Sequence, residues 1–332
     1  MSKGLIAVVD ADYIKHTAAS AGERRAVQVT HRATGVIREF ASRTEFYGHW
    51  AKKSGGWLAE ENKNRTSPYL VEEFDYEDVQ YPEPLENVLH TAKLMWEGCG
   101  NSIGATKSYG FLGEGESFRV ARSTVEHYKG KRSDLIKPIH LQDVHDYLEK
   151  RFKCEIVRDI EADDRVVQEC YQQDNKIIVG VDKDYYAQPI KFMNMNRIDE
   201  GIQNGDQFGK LWLTEKGDVR GIGRMFLYFQ VAFGDDSDCY HANSGTETKW
   251  GEKSAYKALV DSVDDKSALE NLIGVYKKLY PEPTIIEGWR RDKLNIDWLY
   301  MIRENFDLAR MLRFENDKVD IKDIFDKLKI EY

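Results

Sequence analysis

Residues 159–186 read DIEADDRVVQECYQQDNKIIVGVDKDYY and join a short helix to a buried strand. The helical part has small or apolar side chains at Val166, Val167, Cys170 and Tyr171, a spacing that buries one helix face. The apolar run KIIVGV that follows is short and β-branched, which favours a strand covered on both faces. The stretch therefore predicts an α/β fold with a mostly parallel sheet.

Acidic side chains stand at both ends of this helix–strand unit. Glu161, Asp163 and Asp164 begin the helix, and Asp182 and Asp184 follow the strand. Ligands of parallel sheets collect beyond the carboxyl ends of the strands, and carboxylates gathered there repel one another unless a cation joins them. Oxygen-rich clusters suit Mg²⁺ or Mn²⁺. Acids at a helix start also complement the helix dipole, so these residues alone leave both interpretations open.

Two further predicted strands lead directly to acids. LIAVV (5–9) precedes Asp10, and YGFL (109–112) precedes Gly113 and Glu114. A helical period over residues 85–96 lies between them, and such alternation implies a parallel α/β sheet. A simple strand-end turn remains the alternative at Asp10.

Composition places the chain among ordinary soluble globular proteins. Its 332 residues allow one extended domain or two, with 32% charged and 12% aromatic residues. No apolar run reaches the length of a membrane span, and the N-terminus lacks a signal-peptide pattern. The four scattered cysteines form no CxxC pair, so we expect a reduced, cytoplasmic location. The net charge of −9 argues mildly against a passive nucleic-acid binder.

The pattern predicts a core over 1–232, with an insertion at about 26–84, and a helical C-terminal part over 233–332. The insertion opens with a predicted hairpin around Ala33–Gly35, whereas the polar stretch 52–81 has no predicted structure. KLWLTEKGDVRGIG (210–223) predicts a second hairpin, and MFLYFQVAF (225–233) is either a buried helix or a core strand.

A basic segment, GESFRVARSTVEHYKGKR (115–132), follows the third strand. Basic side chains beside an acidic metal cluster are what a phosphodiester-cleaving site needs. Metal ions bind phosphate oxygens and activate water, while the cations hold the backbone. We interpret Arg122 and Lys131 as solvent-facing charges.

Taken in order, these pieces resemble the 5′ nuclease (flap endonuclease) family, and the exonucleases of bacteriophages most of all. The matching pieces are VVDAD, FLGEGESFR, YKGKR, IEADD, VDKDYY, GDDSD and ARMLRF, spread over residues 8–314. The ordered set is more specific than any one motif. It implies a PIN-like 5′ nuclease core, a helix-hairpin-helix DNA-binding element near residues 234–259, and a helical C-terminal region. The cover at 133–139, where the family builds a longer arch, is short.

The resemblance also implies roles for individual residues. The metal ligands expected are Asp10, Glu114, Glu161, Asp163, Asp182, Asp184, Asp235 and Asp238, holding two Mg²⁺ ions for which Mn²⁺ can substitute. Glu114 stands where the family usually has aspartate. We expect the first four ligands around one ion and the others around the second.

The implied catalytic residues are Lys129 and Arg132, which contact the scissile phosphate, together with Asp164. DNA contacts are expected from Arg119, from Tyr128 by base stacking, and from Gly251, Lys253 and Ser254 at a helix start. The hairpin departs from the family's glycine spacing, which argues against a bound K⁺ ion.

The predicted function is therefore a metal-dependent 5′→3′ exonuclease acting on duplex DNA, with flap endonuclease or RNase H-type activity. The implied partner is DNA with a 5′ end, a flap or an RNA–DNA hybrid, in the bacterial host cytoplasm if the chain is phage-encoded. Two alternatives remain: a PIN-like ribonuclease acting on RNA, and a non-catalytic structure-specific DNA-binding protein. Carboxylates that repel one another argue against the second alternative, since a binding protein has no use for them.

Overall fold

A computed structural model describes residues 4–49 and 55–332. The strands are β1 (Ile6–Asp10), β2 (Glu23–His31), β3 (Ile37–Phe40), β4 (Phe74–Pro82), β5 (Lys107–Ser117), β6 (Glu155–Asp159), β7 (Lys176–Gly180), β8 (Phe192–Asn194), β9 (Lys210–Leu213), β10 (Val219–Ile222), β11 (Gly234–Asp235), β12 (Tyr240–His241), β13 (Thr284–Glu287) and β14 (Lys293–Ile296).

The helices are α1 (Ala11–Ala21), α2 (Arg43–Tyr47), α3 (Trp57–Asn62), α4 (Leu85–Ser102), α5 (Phe118–Arg122), α6 (Leu141–Phe152), α7 (Ala162–Cys170), α8 (Gly223–Phe233), α9 (Glu252–Leu259), α10 (Asp265–Leu279), α11 (Trp298–Ala309) and α12 (Ile321–Leu328). Short 3-10 helices lie at Val71–Glu73, Gly130–Asp134, Lys183–Ala187 and Ile198–Glu200. Within the described ranges, none of the helices is both long and apolar enough to cross a bilayer.

The central sheet has five strands in the order β6-β5-β1-β7-β8, and all of its neighbours run parallel. Strand β1 lies in the middle, which explains why Val8 and Val9 are wholly buried and why LIAVV carries no polar residue. The predicted α/β class with a mostly parallel sheet flanked by helices is confirmed. Both the β1 and β7 strands end at the same edge of this sheet.

The chain divides into two compact units. One comprises Met1–Ile14, Leu94–Ile136 and Asp146–Tyr332, and the other comprises Lys15–Lys93 and Lys137–His145. The predicted boundary between residues 232 and 233 falls inside the first unit and stays a prediction.

The second unit has its own sheet and its own core. Strands β3, β2 and β4 form an antiparallel sheet, including the hairpin predicted around Ala33–Gly35. Phe46 is fully buried there, and Trp57 and Phe74 pack against it. The expectation of an irregular stretch over 52–81 was wrong for the part described, because α3 and β4 lie in it. Lys52 and Lys53 lie outside the described residues.

Helices pack around α8 in the C-terminal part of the first unit. Helix α8 corresponds to the apolar run MFLYFQVAF, and its side chains are almost all buried because α9, α10 and α11 surround it. The alternative of a core strand was wrong. The predicted hairpin over 210–223 is present as the antiparallel pair β9–β10. Between α8 and α9 the chain forms the short β11–β12 hairpin and a loop.

Candidate active site

Aspartates meet at the carboxyl edge of the central sheet. Strand β1 ends on Asp10, and the adjacent parallel strand β7 ends two residues before Asp182. The Asp10 side chain is buried, with 8% of the residue exposed. Burial and the charges of Asp12 and Asp182 together raise its pKa to about 7. Asp10 and Asp182 are therefore close enough to repel each other, as the sequence predicted.

Tyr185 joins the aspartates of three elements. Its hydroxyl lies 3.3 Å from Asp10 Oδ2 and donates to it. Burial, followed by the charges of Asp10, Asp163 and Asp182, raises the pKa of this phenol well above its usual value. The pKa of this single buried side chain is thus raised by carboxylates from β1, from the start of α7 and from the turn after β7. These three acids belong to one site.

The first turn of α7 is held by a buried ion pair. Asp164 is fully buried and accepts two hydrogen bonds from Arg119, at 2.6 and 2.8 Å. It also accepts bonds from the backbone amides of Glu161, at 3.2 Å, and Leu312, at 2.8 Å. These four bonds occupy its oxygens, so Asp164 fixes the helix start that presents Glu161 and Asp163. These contacts suit a positioning residue, and the catalytic role predicted for Asp164 stays a prediction.

Arg119 and Tyr128 are both too buried to contact DNA as predicted, since each is only 2% exposed. Arg119 also donates to Glu161, at 3.3 Å, and to the carbonyls of Leu308 and Arg310, at 3.1 and 2.7 Å. The Tyr128 hydroxyl lies 3.1 Å from Glu161 and 3.0 Å from Asp238. Both residues orient carboxylates from inside the protein, and the Tyr128 ring cannot stack on a base.

Two basic side chains form ion pairs with these carboxylates. Lys129 forms an ion pair with Glu161, and its ammonium is 4.0 Å from Asp238. Arg132 is half-exposed and donates to Asp238 at 2.8 Å. Burial acts to lower the pKa of Lys129, but the charges of Glu161 and Asp238 outweigh it and raise that pKa. Lys129 therefore stays charged beside the acids, in a left-handed backbone conformation (φ 56°) that is unusual for a residue with a side chain.

The remaining acids lie around the 3-10 turn Lys183–Ala187 and the β11–β12 hairpin. Burial and the Asp182 charge raise the pKa of Asp184 well above its usual value, and Gln230 donates a hydrogen bond to it. Asp235 behaves differently. Burial acts to raise its pKa, but hydrogen bonds from Lys183, at 2.7 Å, and from Ser237 prevail and lower it to about 2.

Asp238 completes this set, since its charge also raises the pKa of Asp184. Burial raises the pKa of Asp238, and Lys129 and Arg132 offset part of that effect. The seven acids Asp10, Glu161, Asp163, Asp182, Asp184, Asp235 and Asp238 are therefore linked one to the next by their charges. We call them the acidic cluster.

The donor set of the acidic cluster fits a hard divalent cation. Its ligand atoms are all carboxylate oxygens, which Mg²⁺ and Mn²⁺ prefer. Among the described residues no three acids, histidines or cysteines lie close enough together to hold an ion, and lysines and an arginine bind several of the carboxylates. Burial and mutual repulsion still raise the pKa of Asp10, Asp163 and Asp184. The charge that these cations leave uncompensated is what a divalent ion would offset.

Glu114 has a different environment from the other predicted ligands. Strand β5 continues past Leu112 to Ser117, so Glu114 lies within the strand and not at its end. Its carboxylate is half-exposed and forms an ion pair with Arg158 on the neighbouring strand β6. A ligand role for Glu114 requires that ion pair to break, and it stays a prediction. Asp12 instead accepts a hydrogen bond from the Gly113 amide, at 3.1 Å, beside Asp10.

The predicted DNA-binding residues of the hairpin element lie at the start of α9. Gly251 precedes the first turn of this helix, and Lys253 and Ser254 are exposed in it. Space is open around Gly251, where an added Cβ would meet nothing within 4 Å. These positions are accessible to a ligand, and their contact with DNA stays a prediction.

Several residues of the site were not predicted from the sequence. Lys183 and Tyr185 lie within the VDKDYY motif itself, so their adjacency to the acids was a usable signal. Gln230 lies on the buried helix α8, where a lone amide among apolar residues was also a signal.

Long-range contacts hold the segment that leads to Lys129. Trp289 stacks on His127 with ring centres 4.1 Å apart, and Arg290 donates to the carbonyls of Ser123 and Val120, at 2.6 and 2.7 Å. Glu304 accepts from the amides of Thr124 and Val125, at 3.0 and 3.1 Å. We call Trp289, Arg290 and Glu304 the clamp. Nothing local in the sequence marks these residues, because their partners lie more than a hundred positions away.

The chain is similar to solved structures of bacteriophage T5 proteins. One, a T5 protein co-crystallised with metal ions, is 14% identical, with 68% of this chain and 79% of that chain covered and a TM-score of 0.37. A mutant T5 flap endonuclease, in a pseudo-enzyme–product complex with DNA and metal ions, is 11% identical, with 67% and 90% covered and a TM-score of 0.36. A mutant T5 5′-exonuclease is 11% identical, with 68% and 93% covered and a TM-score of 0.32.

The similarity to bacteriophage 5′ nucleases expected from the motifs is thus found. No family model and no curated protein matches the chain. At identities of at most 14% and TM-scores below 0.5, we argue the function from the site alone.

Proposed function

We propose that the protein is a metal-dependent nuclease that hydrolyses phosphodiester bonds of DNA from 5′ ends. One observation carries the proposal: seven carboxylates from four different segments are linked by their charges near one edge of the sheet, beside the cations Lys129 and Arg132. A purely structural acidic cluster would be costly, because buried like charges repel. Acids and cations side by side are what phosphoryl chemistry uses.

We divide the cluster between two ions as the motif resemblance implies. Asp10, Glu161 and Asp163 would hold one ion, and Asp182, Asp184, Asp235 and Asp238 would hold or orient the second. When bound, divalent ions lower the pKa of a coordinated water and offset charge on the phosphate oxygens. Tyr128 and Tyr185 keep the carboxylates in place through the hydrogen bonds described above, and Arg119 with Asp164 fixes the helix start.

Lys129 and Arg132 are the residues suited to hold the scissile phosphate. Each now pairs with a carboxylate of the cluster, and a divalent ion held by those carboxylates would leave its charge available for the substrate. The two cations would then stabilise negative charge that develops on the phosphate. Exposed Lys253 and Ser254, at the start of α9, are suited to a phosphate farther along the duplex.

The 5′→3′ polarity, and flap endonuclease or RNase H-type activity, belong to the proposal through the motif resemblance. The metal we propose is Mg²⁺, with Mn²⁺ as substitute.

Cleavage assays test the proposal. The wild-type protein, Asp182→Asn and the control Asp199→Asn, at an exposed aspartate in the turn after β8, are incubated with 5′-labelled DNA flap, blunt duplex, RNA–DNA hybrid and single-stranded RNA, with Mg²⁺ or EDTA. We expect Mg²⁺-dependent cleavage of the DNA-containing substrates by the wild type and the control only. Cleavage of RNA alone would favour the PIN-like ribonuclease, and binding without cleavage would favour a structure-specific binding protein.

A further inference from the structure

A second cavity lies apart from the acidic cluster, between α8, the end of α11 and α12. Its volume is about 610 Å³, and its wall is mostly apolar, with the aromatic side chains Tyr171, Tyr228 and Phe306 among its residues. None of the seven acids of the cluster lines it. Sites for small molecules are commonly about 300–1,000 Å³ and mainly apolar, with a few polar groups that fix orientation. The cavity has this character.

One buried amide in the cavity wall lacks a partner. Gln188 is only 5% exposed, and its side chain makes no hydrogen bond with any residue that the structure describes. Its backbone amide is satisfied by the Tyr185 carbonyl at 3.1 Å. The enclosed side-chain polar atoms that lack a partner do not include the amide atoms of the Gln188 side chain, so solvent still reaches them, and a ligand with a matching polar edge would pair with them there.

The rim of the cavity is cationic. Arg224 and Arg313 also line it, but each is bound to an aspartate, Asp265 at 2.6 Å and Asp317 at 2.8 Å. Lys318 and Lys327 are exposed and have no carboxylate partner within 4 Å in the described parts of the chain. The wall also carries two acids. Asp265 is paired with Arg224, whereas Asp323 has no basic partner within 4 Å among the described residues. The free charge at the rim therefore favours an anion.

We propose that this cavity binds a nucleoside 5′-monophosphate. A planar base suits the aromatic wall, its polar edge pairs with the Gln188 amide, and its phosphate reaches Lys318 and Lys327. An acidic peptide would satisfy the lysines too, but an extended peptide needs a row of backbone partners, and the cavity offers a single buried amide. The assignment rests on the cavity's own chemistry and does not depend on the nuclease function.

Calorimetric titrations in EDTA test the proposal, since they exclude metal-dependent binding at the acidic cluster. The probes are dAMP, dGMP, dCMP and TMP, with inorganic phosphate and an Asp-Asp-Phe peptide as comparisons. The full chain is used as wild type, as Gln188→Leu, as the double variant Lys318→Gln/Lys327→Gln, and as the control Lys322→Gln, which lies on α12 outside the cavity wall.

We expect saturable binding of at least one nucleotide with a Kd below about 1 mM. Gln188→Leu and the double lysine variant should each weaken it about tenfold or more, while Lys322→Gln leaves it unchanged. The double variant changes only exposed side chains, so it decides the matter even if Gln188→Leu folds poorly. Absence of nucleotide binding, equal binding by all variants, equal affinity for phosphate alone, or binding of the peptide alone would each overturn the assignment.

Discussion

At the scale of single residues, the acidic cluster opposes folding, because its buried carboxylates repel one another. Asp10 shows this most clearly, because burial and neighbouring acids raise its pKa from 3.8 to about 7. The unfolded chain loses the Asp10 proton near pH 4, whereas the native protein keeps it until about pH 7. The native state thus binds more protons between these values, and the stability contributed here falls as the pH rises.

Replacing Asp10 by asparagine should therefore stabilise the metal-free protein while abolishing cleavage. One pKa unit corresponds to about 1.4 kcal/mol, so the shift sets a ceiling of about 4 kcal/mol on the gain at pH 8. Urea unfolding of wild type and Asp10→Asn in EDTA measures it across pH 4–8. The gain should be smallest near pH 4 and grow towards pH 7, and Asp199→Asn should show no such trend. A variant that is less stable than wild type at pH 8 would contradict this reading of Asp10.

The buried pair of Arg119 and Asp164 has the opposite role. Removal of one partner leaves an uncompensated buried charge, which costs about 3–5 kcal/mol. We expect Arg119→Met to lose stability of this order by urea unfolding. Arg122→Met, at a mostly exposed arginine on the same short helix, should change stability by less than about 1 kcal/mol. Equal losses in the two variants would show that Arg119 has no special role.

At the scale of elements, the site depends on how helices and turns present their ends. The first turn of α7 presents Glu161 and Asp163, the turn after β7 presents Asp182 and Asp184, and the clamp on α11 and the β13–β14 hairpin holds the segment before Lys129. Lys129 has a left-handed backbone conformation that local sequence does not favour. Its amide donates to the Asp238 carbonyl at 2.9 Å, and we infer that the clamp, by holding the segment before it, helps to set its position.

Trp289→Ala should lower kcat about tenfold, equivalent to about 1.4 kcal/mol, with little change in KM. The stack on His127 would be lost, and Lys129 would be less well aimed. Trp289→Phe, which keeps an aromatic ring for the stack, should recover most of the activity. Trp212→Ala, at a partly exposed tryptophan on β9, is the matched control. Hydrogen exchange over residues 123–129 should rise in Trp289→Ala alone, and unchanged exchange together with unchanged kcat would refute the clamp.

Elements were predictable from sequence where the signal is local. Buried runs such as LIAVV and KIIVGV identify strands, and an acid directly after such a run lands at the sheet edge because parallel strands share that edge. The same rule fails for Glu114. Strand β5 continues to Ser117, so Glu114 lies within the strand and forms an ion pair with Arg158. The burial of Arg119 and Tyr128 could not be predicted either, because a basic or aromatic residue beside a motif can equally well be exposed.

At the scale of the whole molecule, a chain with a net charge of −9 concentrates part of its negative charge in one buried site. The balance of charge over the surface is therefore less acidic than the total suggests, and exposed cations such as Lys253 and the lysines at the second cavity remain available to anions. Long-range pairings create this distribution, so composition could not reveal it. We propose that the acidic cluster binds divalent cations.

The most direct test of that claim is a Mn²⁺ titration followed by electron paramagnetic resonance, in which bound Mn²⁺ loses the signal of the free ion. The account predicts saturable Mn²⁺ binding by the wild type, displacement by Mg²⁺, and loss of at least one bound ion in Asp182→Asn but not in Asp199→Asn. Absence of bound Mn²⁺ in the wild type, or the same binding in Asp182→Asn as in the wild type, would contradict it.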